Sequence, residues 1–241
     1  MHDEYHDTLV RYYHYQDFLL LCWHYQNEGK WSEIIAYGES SLEFIKGLDS
    51  SKFSKKDYEY RVNISCEIIS CHFYLGDHDK ALKVAKDATA YTKQISNNDL
   101  KVRISYLISA CYRALASKEK GEQHEKYKKD ADDYIKEACA LCNKYPISQG
   151  IKIKVYFNAG ALEQDLNNSP SAARKYYEQA LNILENPEFK DKFFDNYCRT
   201  QIRYIRALLE DTSSDISFHS TKLRFPCKCA NDNIFPRIKS K

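Results

Sequence analysis

The chain has 241 residues, 43% of them hydrophobic, with only seven Gly and five Pro. That length allows one substantial core or a short repeat array and excludes several large domains. So few Gly and Pro argue against a turn-rich all-β protein and suit long helices. The net charge of +2 gives no steer toward nucleic acid or membrane, but it is unevenly spread. From Thr212 onward six Lys/Arg stand against Asp215 and Asp232, about +4 in all, so the remainder is near −2.

The nine Cys are odd in number, and most fall at apolar helical positions: Cys22, Cys66, Cys71, Cys111, Cys139, Cys142 and Cys198. Reduced core thiols explain this better than a disulfide framework, so a reducing, cytoplasmic setting is expected. Met1-His2-Asp3-Glu4 is acidic where a secretory leader is basic, and the apolar run Phe18–Trp23 is far too short to span a membrane.

Taken in order, apolar residues at helical spacing predict a first helix over about Glu4–Asn27, broken at Gly29. A second opens at Trp31 and buries Ile34, Ile35, Leu42 and Ile45, with Gly47 near its end. After a polar connector (residues 50–54), a third helix reaches Leu75. Gly76 turns the chain, and a partner helix runs through Ile95. Ser96-Asn97-Asn98-Asp99 has cap chemistry and precedes a helix over Leu100–Ser117. The charged stretch Lys118–Lys129 reads as a linker or as a helical extension, and Ala131–Lys144 is helical until Tyr145-Pro146. Ile147–Leu166 and Ala172–Leu184 form another pair around Asn167-Asn168-Ser169-Pro170, where Ser169 is the expected N-cap and Pro170 the first helical residue. Asn186-Pro187 ends that pair. Phe189–Glu210 is a ninth, unpaired helix suited to capping an open array.

The second helices of these pairs share a small-residue face. The sets are Ala173-x3-Tyr177-x2-Ala180 with Gly160 before them, Ala81-x3-Ala85-x2-Ala88 with Gly76, Ala131-x3-Ile135-x2-Ala138 with Tyr112, and Ile34-x3-Gly38-x2-Ser41 with Tyr25, Gly29 and Trp31. This pattern resembles the tetratricopeptide repeat (TPR) family over about Tyr5–Glu210. Equivalent positions are 47, 50 and 42 residues apart, rather than the usual 34 or so. In this the chain is similar to the extended repeats of bacterial peptide-sensing regulators, attachment-protein adaptors and kinesin light chains. The resemblance implies an all-α, right-handed superhelical solenoid of about four TPR-like hairpins plus a C-terminal capping helix. Residues 1–210 would form the repeat domain and 211–241 a basic non-repeat tail.

The resemblance further implies that first helices line a concave groove. It places there Gln16, Leu19 and Trp23, then Asn63, Glu67 and Ser70, then Arg103, Tyr106 and Arg113, and then Lys154 and Asn158. Together they offer aromatic surface, amides for an extended backbone, and basic groups for acidic side chains or a carboxylate. Of the chaperone-tail carboxylate clamp known in some family members, only Lys154 and Asn158 resemble a part, so binding of that tail is not expected. The expected function is a non-catalytic interaction module or adaptor holding a peptide or partner helix. The alternatives are an RNA-binding helical-repeat protein and a regulatory or chaperone-type protein whose tail occupies its own groove. Association between copies of the chain stays open.

No catalytic, cofactor or metal site is expected. His2 and His6 are i, i+4, a zinc-compatible spacing, but Asp3 stands where the metalloprotease motif needs Glu, and a third ligand is not evident. Cys227-x-Cys229 is too short a spacing for zinc, and His72 reads as an interior histidine.

Overall fold

The computed structural model describes residues 2–49, 51 and 53–211, with side chains from residue 10 onward. Among the described residues there are ten helices and no strand. They are α1 (His2–Asn27), α2 (Trp31–Lys46), α3 (Lys55–Leu75), α4 (His78–Thr89), α5 (Asn98–Ala116), α6 (Gly121–Lys144), α7 (Gln149–Asp165), α8 (Pro170–Leu184), α9 (Pro187–Lys192) and α10 (Phe194–Asp211).

The turns follow from local chemistry. Gly29 and Gly76 take φ of 69° and 81°, a left-handed conformation that costs glycine little. Ser54 and Asp57 form a reciprocal capping box at the start of α3, and the Asn97 side chain accepts from the Leu100 amide at 3.3 Å. Ser169 occupies the N-cap of α8 with Pro170 after it, but its hydroxyl makes no capping bond; the turn is carried by Asn168 at φ 48°.

The helices pack as antiparallel neighbours α1/α2, α3/α4, α5/α6 and α7/α8, and α10 lies against both α7 and α8. First helices also touch in succession, α1 to α3, α3 to α5, α5 to α7 and α7 to α10. This two-layer stacking is a superhelical solenoid of four hairpins closed by α10. The small-residue faces form its seams. Ile34, Ser41, Ala81, Ala85, Ala88, Ala131, Ile135, Ala138, Ala173, Tyr177 and Ala180 are all buried, as is Gly38. At Gly160 the reason for a missing side chain is direct, because a Cβ there would lie 2.5 Å from Cε1 of the buried Tyr177 ring.

Three boundaries differ from expectation. The fourth helix stops at Thr89, and residues to 94 form turns. The charged stretch is mostly helix: α6 begins at Gly121, leaving a connector of only Ser117–Lys120. The expected ninth helix is two, because Phe193 takes φ −121°, ψ 38°, and its ring seats on Gly150 with no room for a Cβ (2.8 Å). Docking that ring bends the chain between α9 and α10. Among the described residues, no helix is long and apolar enough to cross a membrane.

Candidate functional site

Because first helices neighbour one another, their inward side chains line one concave cleft of about 490 Å³. Gln26 comes from α1 and Trp31 from the start of α2. Glu67, Ser70, Cys71, Phe73 and Tyr74 come from α3, and Arg103, Tyr106, Leu107, Ala110 and Arg113 from α5. Ile151, Lys154, Phe157 and Asn158 come from α7, and Asn196 and Arg199 from α10. Residues three and four apart recur on α3, α5 and α7, as one helical face requires.

Of the residues expected in the groove, the structure brings together Glu67, Ser70, Arg103, Tyr106, Arg113, Lys154 and Asn158. It does not place Gln16, Leu19, Trp23 or Asn63 there. Leu19 packs against the core around Phe18 and Ile34, and Trp23 stands 69% exposed. Gln26 continues the stripe of Gln16, Leu19 and Trp23 and is the point at which α1 reaches the cleft; its amide donates to Glu67 at 3.3 Å. Asn63 supports the site instead of lining it, accepting from Arg103 Nη1 at 2.9 Å while donating to the Tyr15 hydroxyl. Sequence reasoning missed Trp31, Phe73, Tyr74, Phe157 and Arg199. The signal for Tyr74 and Phe157 was the same 3–4 spacing carried one turn further; Trp31 and Arg199 had none.

Aromatic and charged groups divide the surface. Trp31 and Tyr74 stack with centroids 4.7 Å apart and planes at 17°, and Tyr74 is more than half exposed. Tyr106, Leu107 and Ala110 form a buried apolar floor. Four cationic side chains line the cleft against the single carboxylate of Glu67. That carboxylate is already held by Arg103 Nη2 at 2.9 Å, and the Arg103 Nε is buried without a hydrogen-bond partner. Burial works against the Arg103 charge, but the adjacent Glu67 more than restores it, so its pKa lies above the ordinary value. Arg113 reaches Asp165 at 2.5 Å, and Arg203 shares the same carboxylate at 2.6 Å. Burial, with Arg203 nearby, lowers the Arg113 pKa.

Lys154 differs from these arginines. Neither it nor Arg199 has a carboxylate partner among the described residues. Burial pushes the Lys154 ammonium below its usual range, and the Arg103 charge adds to that; Glu67 only partly offsets them.

The same arginines link each first helix to the next. Arg11–Asp57 at 2.7 Å ties α1 to α3, Arg103–Glu67 ties α5 to α3, and Asp165 joins α7 to both α5 and α10.

The thiols beside the cleft are packing groups. Burial raises Cys66 to about 11 and Cys71 to about 12, far from a reactive thiolate. Among the described residues no His/Cys/Asp/Glu group is arranged to hold a metal ion. His2 and His6 lie outside the described side chains, and Cys227, Cys229 and the tail outside the described residues.

The fold is that of a helical-repeat solenoid with TPR-like hairpins. It is similar to a thermophilic TPR protein from Thermus thermophilus, with TM-score 0.55, 17% identity, and coverage of 83% of this chain and 93% of that one. It is also similar to BtubC (BKLC) from P. vanneervenii, with TM-score 0.57, 16% identity, and coverage of 87% and 84%. No protein-family model matches the sequence, and no curated protein matches it significantly.

Proposed function

We propose that the chain is a non-catalytic interaction module that holds a peptide of a protein partner in the cleft between its first helices. The observation that carries this is the cleft itself, where an aromatic stack, an apolar floor and unpaired cations from α7 and α10 face one space. Backbone amides of an extended peptide can pair with Gln26, Asn158 and Asn196, while its side chains meet Tyr74 and Phe157. Buried thiols of raised pKa and the lack of a nucleophile–base pair in the cleft support a binding role over a catalytic one.

The test is affinity capture with three proteins: wild type, a cleft variant (Tyr74→Ala, Lys154→Ala, Arg199→Ala), and an outer-face variant (Lys128→Ala, Lys136→Ala). Partners retained by the outer-face variant and lost by the cleft variant are expected. Equal retention by all three would refute the cleft assignment. Capture that collapses between low and moderate salt and is abolished by ribonuclease would favour the RNA alternative.

A further inference from the structure

Resting on that reading, we propose that the cleft is a receptor for a phosphorylated side chain of the bound peptide, gripped by Lys154 and Arg199 beside Arg103. Three observations support it. First, the charges do not balance: four cations face one carboxylate, and Glu67 is already taken by Arg103. Asp165, behind Arg113, is shared by two guanidinium groups. Second, half of that surplus is partly withdrawn from water: Lys154 is half-buried, while Arg199 stands exposed. Lys154 shares the cleft with Phe157, Leu107 and Tyr106. A cation held out of water without a counter-ion is a standing cost, which an arriving anion relieves. Third, Arg103 keeps a buried Nε donor unused while its two terminal nitrogens are held in place by Asn63 and Glu67.

The count of charges selects the ligand. A single carboxylate can bridge Lys154 and Arg199, as Asp165 bridges two arginines, but it brings one charge to two cations. A phosphate monoester carries nearly two charges near pH 7 and three acceptor oxygens, enough for both cations. The Trp31–Tyr74 stack then offers a flat platform to an apolar residue of the same peptide. Nucleic acid fits less well, since residues outside the basic tail are near −2 in sum. The tail itself, at about +4, carries the same sign as the cleft and is the poorer occupant on charge.

The experiment uses the full-length protein and three fluorescent degenerate peptide pools with a fixed central phosphoserine, serine or glutamate. Fluorescence polarisation should show the phosphoserine pool binding at least about tenfold tighter than the serine pool, the scale of one charge-assisted hydrogen bond. Lys154→Gln and Arg199→Gln should each erase most of that preference, weakening the phosphoserine pool far more than the serine pool, while Lys154→Arg keeps it. Lys154→Met should raise the melting midpoint of the free protein and abolish its further rise with the phosphoserine pool. Equal affinity for phosphoserine and serine pools, both weakened by Tyr74→Ala, would overturn the phosphate and leave the peptide reading standing. Pools that bind alike to wild type and every cleft variant would overturn both. Inorganic phosphate that displaces the pool at equal affinity would overturn the proposal by assigning the site to a free ion. An oligoribonucleotide that binds more tightly than any pool would overturn it in favour of RNA.

Discussion

Replacing Gly160 by Ala should destabilise the protein even though alanine is the better helix former. Helix propensity favours the substitution by about 1 kcal/mol. Against it, the new Cβ would lie 2.5 Å from Cε1 and 2.7 Å from Cδ1 of Tyr177. That ring is fully buried between α7 and α8, and its hydroxyl donates to Gln164 at 3.1 Å. Moving it overpacks the seam at a cost of roughly 1–3 kcal/mol and weakens a buried hydrogen bond worth about 1 kcal/mol. The net loss expected is about 1–3 kcal/mol, read as a lower urea midpoint by circular dichroism at unchanged slope. Two controls isolate the cause. In a Tyr177→Leu background Gly160→Ala should lose its penalty, because the clashing atoms are gone. Gly47→Ala should be neutral or slightly stabilising, since φ is −71° and the nearest atom to its Cβ is at 3.5 Å. A Gly160→Ala protein as stable as wild type, or an undiminished penalty in the double variant, would refute the reasoning.

Arg11→Met should cost about 3 kcal/mol in chemical denaturation, because it strands the buried carboxylate of Asp57, with the pair now at 2.7 Å. His72 is buried with an unbonded Nδ1, and burial lowers its pKa despite Asp77 nearby. Its neutral form is therefore the folded form: its contribution is present above the ordinary histidine pKa of about 6.5 and lost as pH falls through the lower folded value. His72→Gln should flatten the fall of the melting midpoint between neutral and mildly acidic pH; an unchanged slope would count against this. Asp165→Asn should loosen α7 from α5 and α10 together, lowering stability by about 1 kcal/mol, and the difference from wild type should shrink in high salt as screening rises.

The seams of the solenoid were legible because they are local. Each set such as Ala81, Ala85 and Ala88 follows a turn signal within a few residues, and burying it needs only a neighbour, whichever one the chain supplies. The break at Phe193 was not legible, since Phe189, Phe193, Phe194 and Tyr197 continue a helical pattern. Its cause is a bare backbone patch at Gly150, distant in sequence. The inner face was legible as a direction more than as an extent. Periodicity put Gln16, Leu19 and Trp23 on the same stripe as Gln26, but how far along α1 the cleft extends depends on how the helices cross. Likewise Arg103, Arg113 and Lys154 read alike as basic residues. Only folding pairs the first two with Glu67 and Asp165 and leaves the third alone.

The arginine–carboxylate links between successive first helices have a mechanical consequence. In a stacked array the bending of the whole is the sum of bending at each joint, so the softest joint sets the compliance. The joints are unequal: Arg11–Asp57 is almost fully buried at 7% and 4% exposure, whereas Arg203–Asp165 is at 29% and 23%. Exposed pairs weaken with salt far more than buried ones. Added salt should therefore weaken the ion-pair link at the α7–α10 joint before the one at the α1–α3 joint.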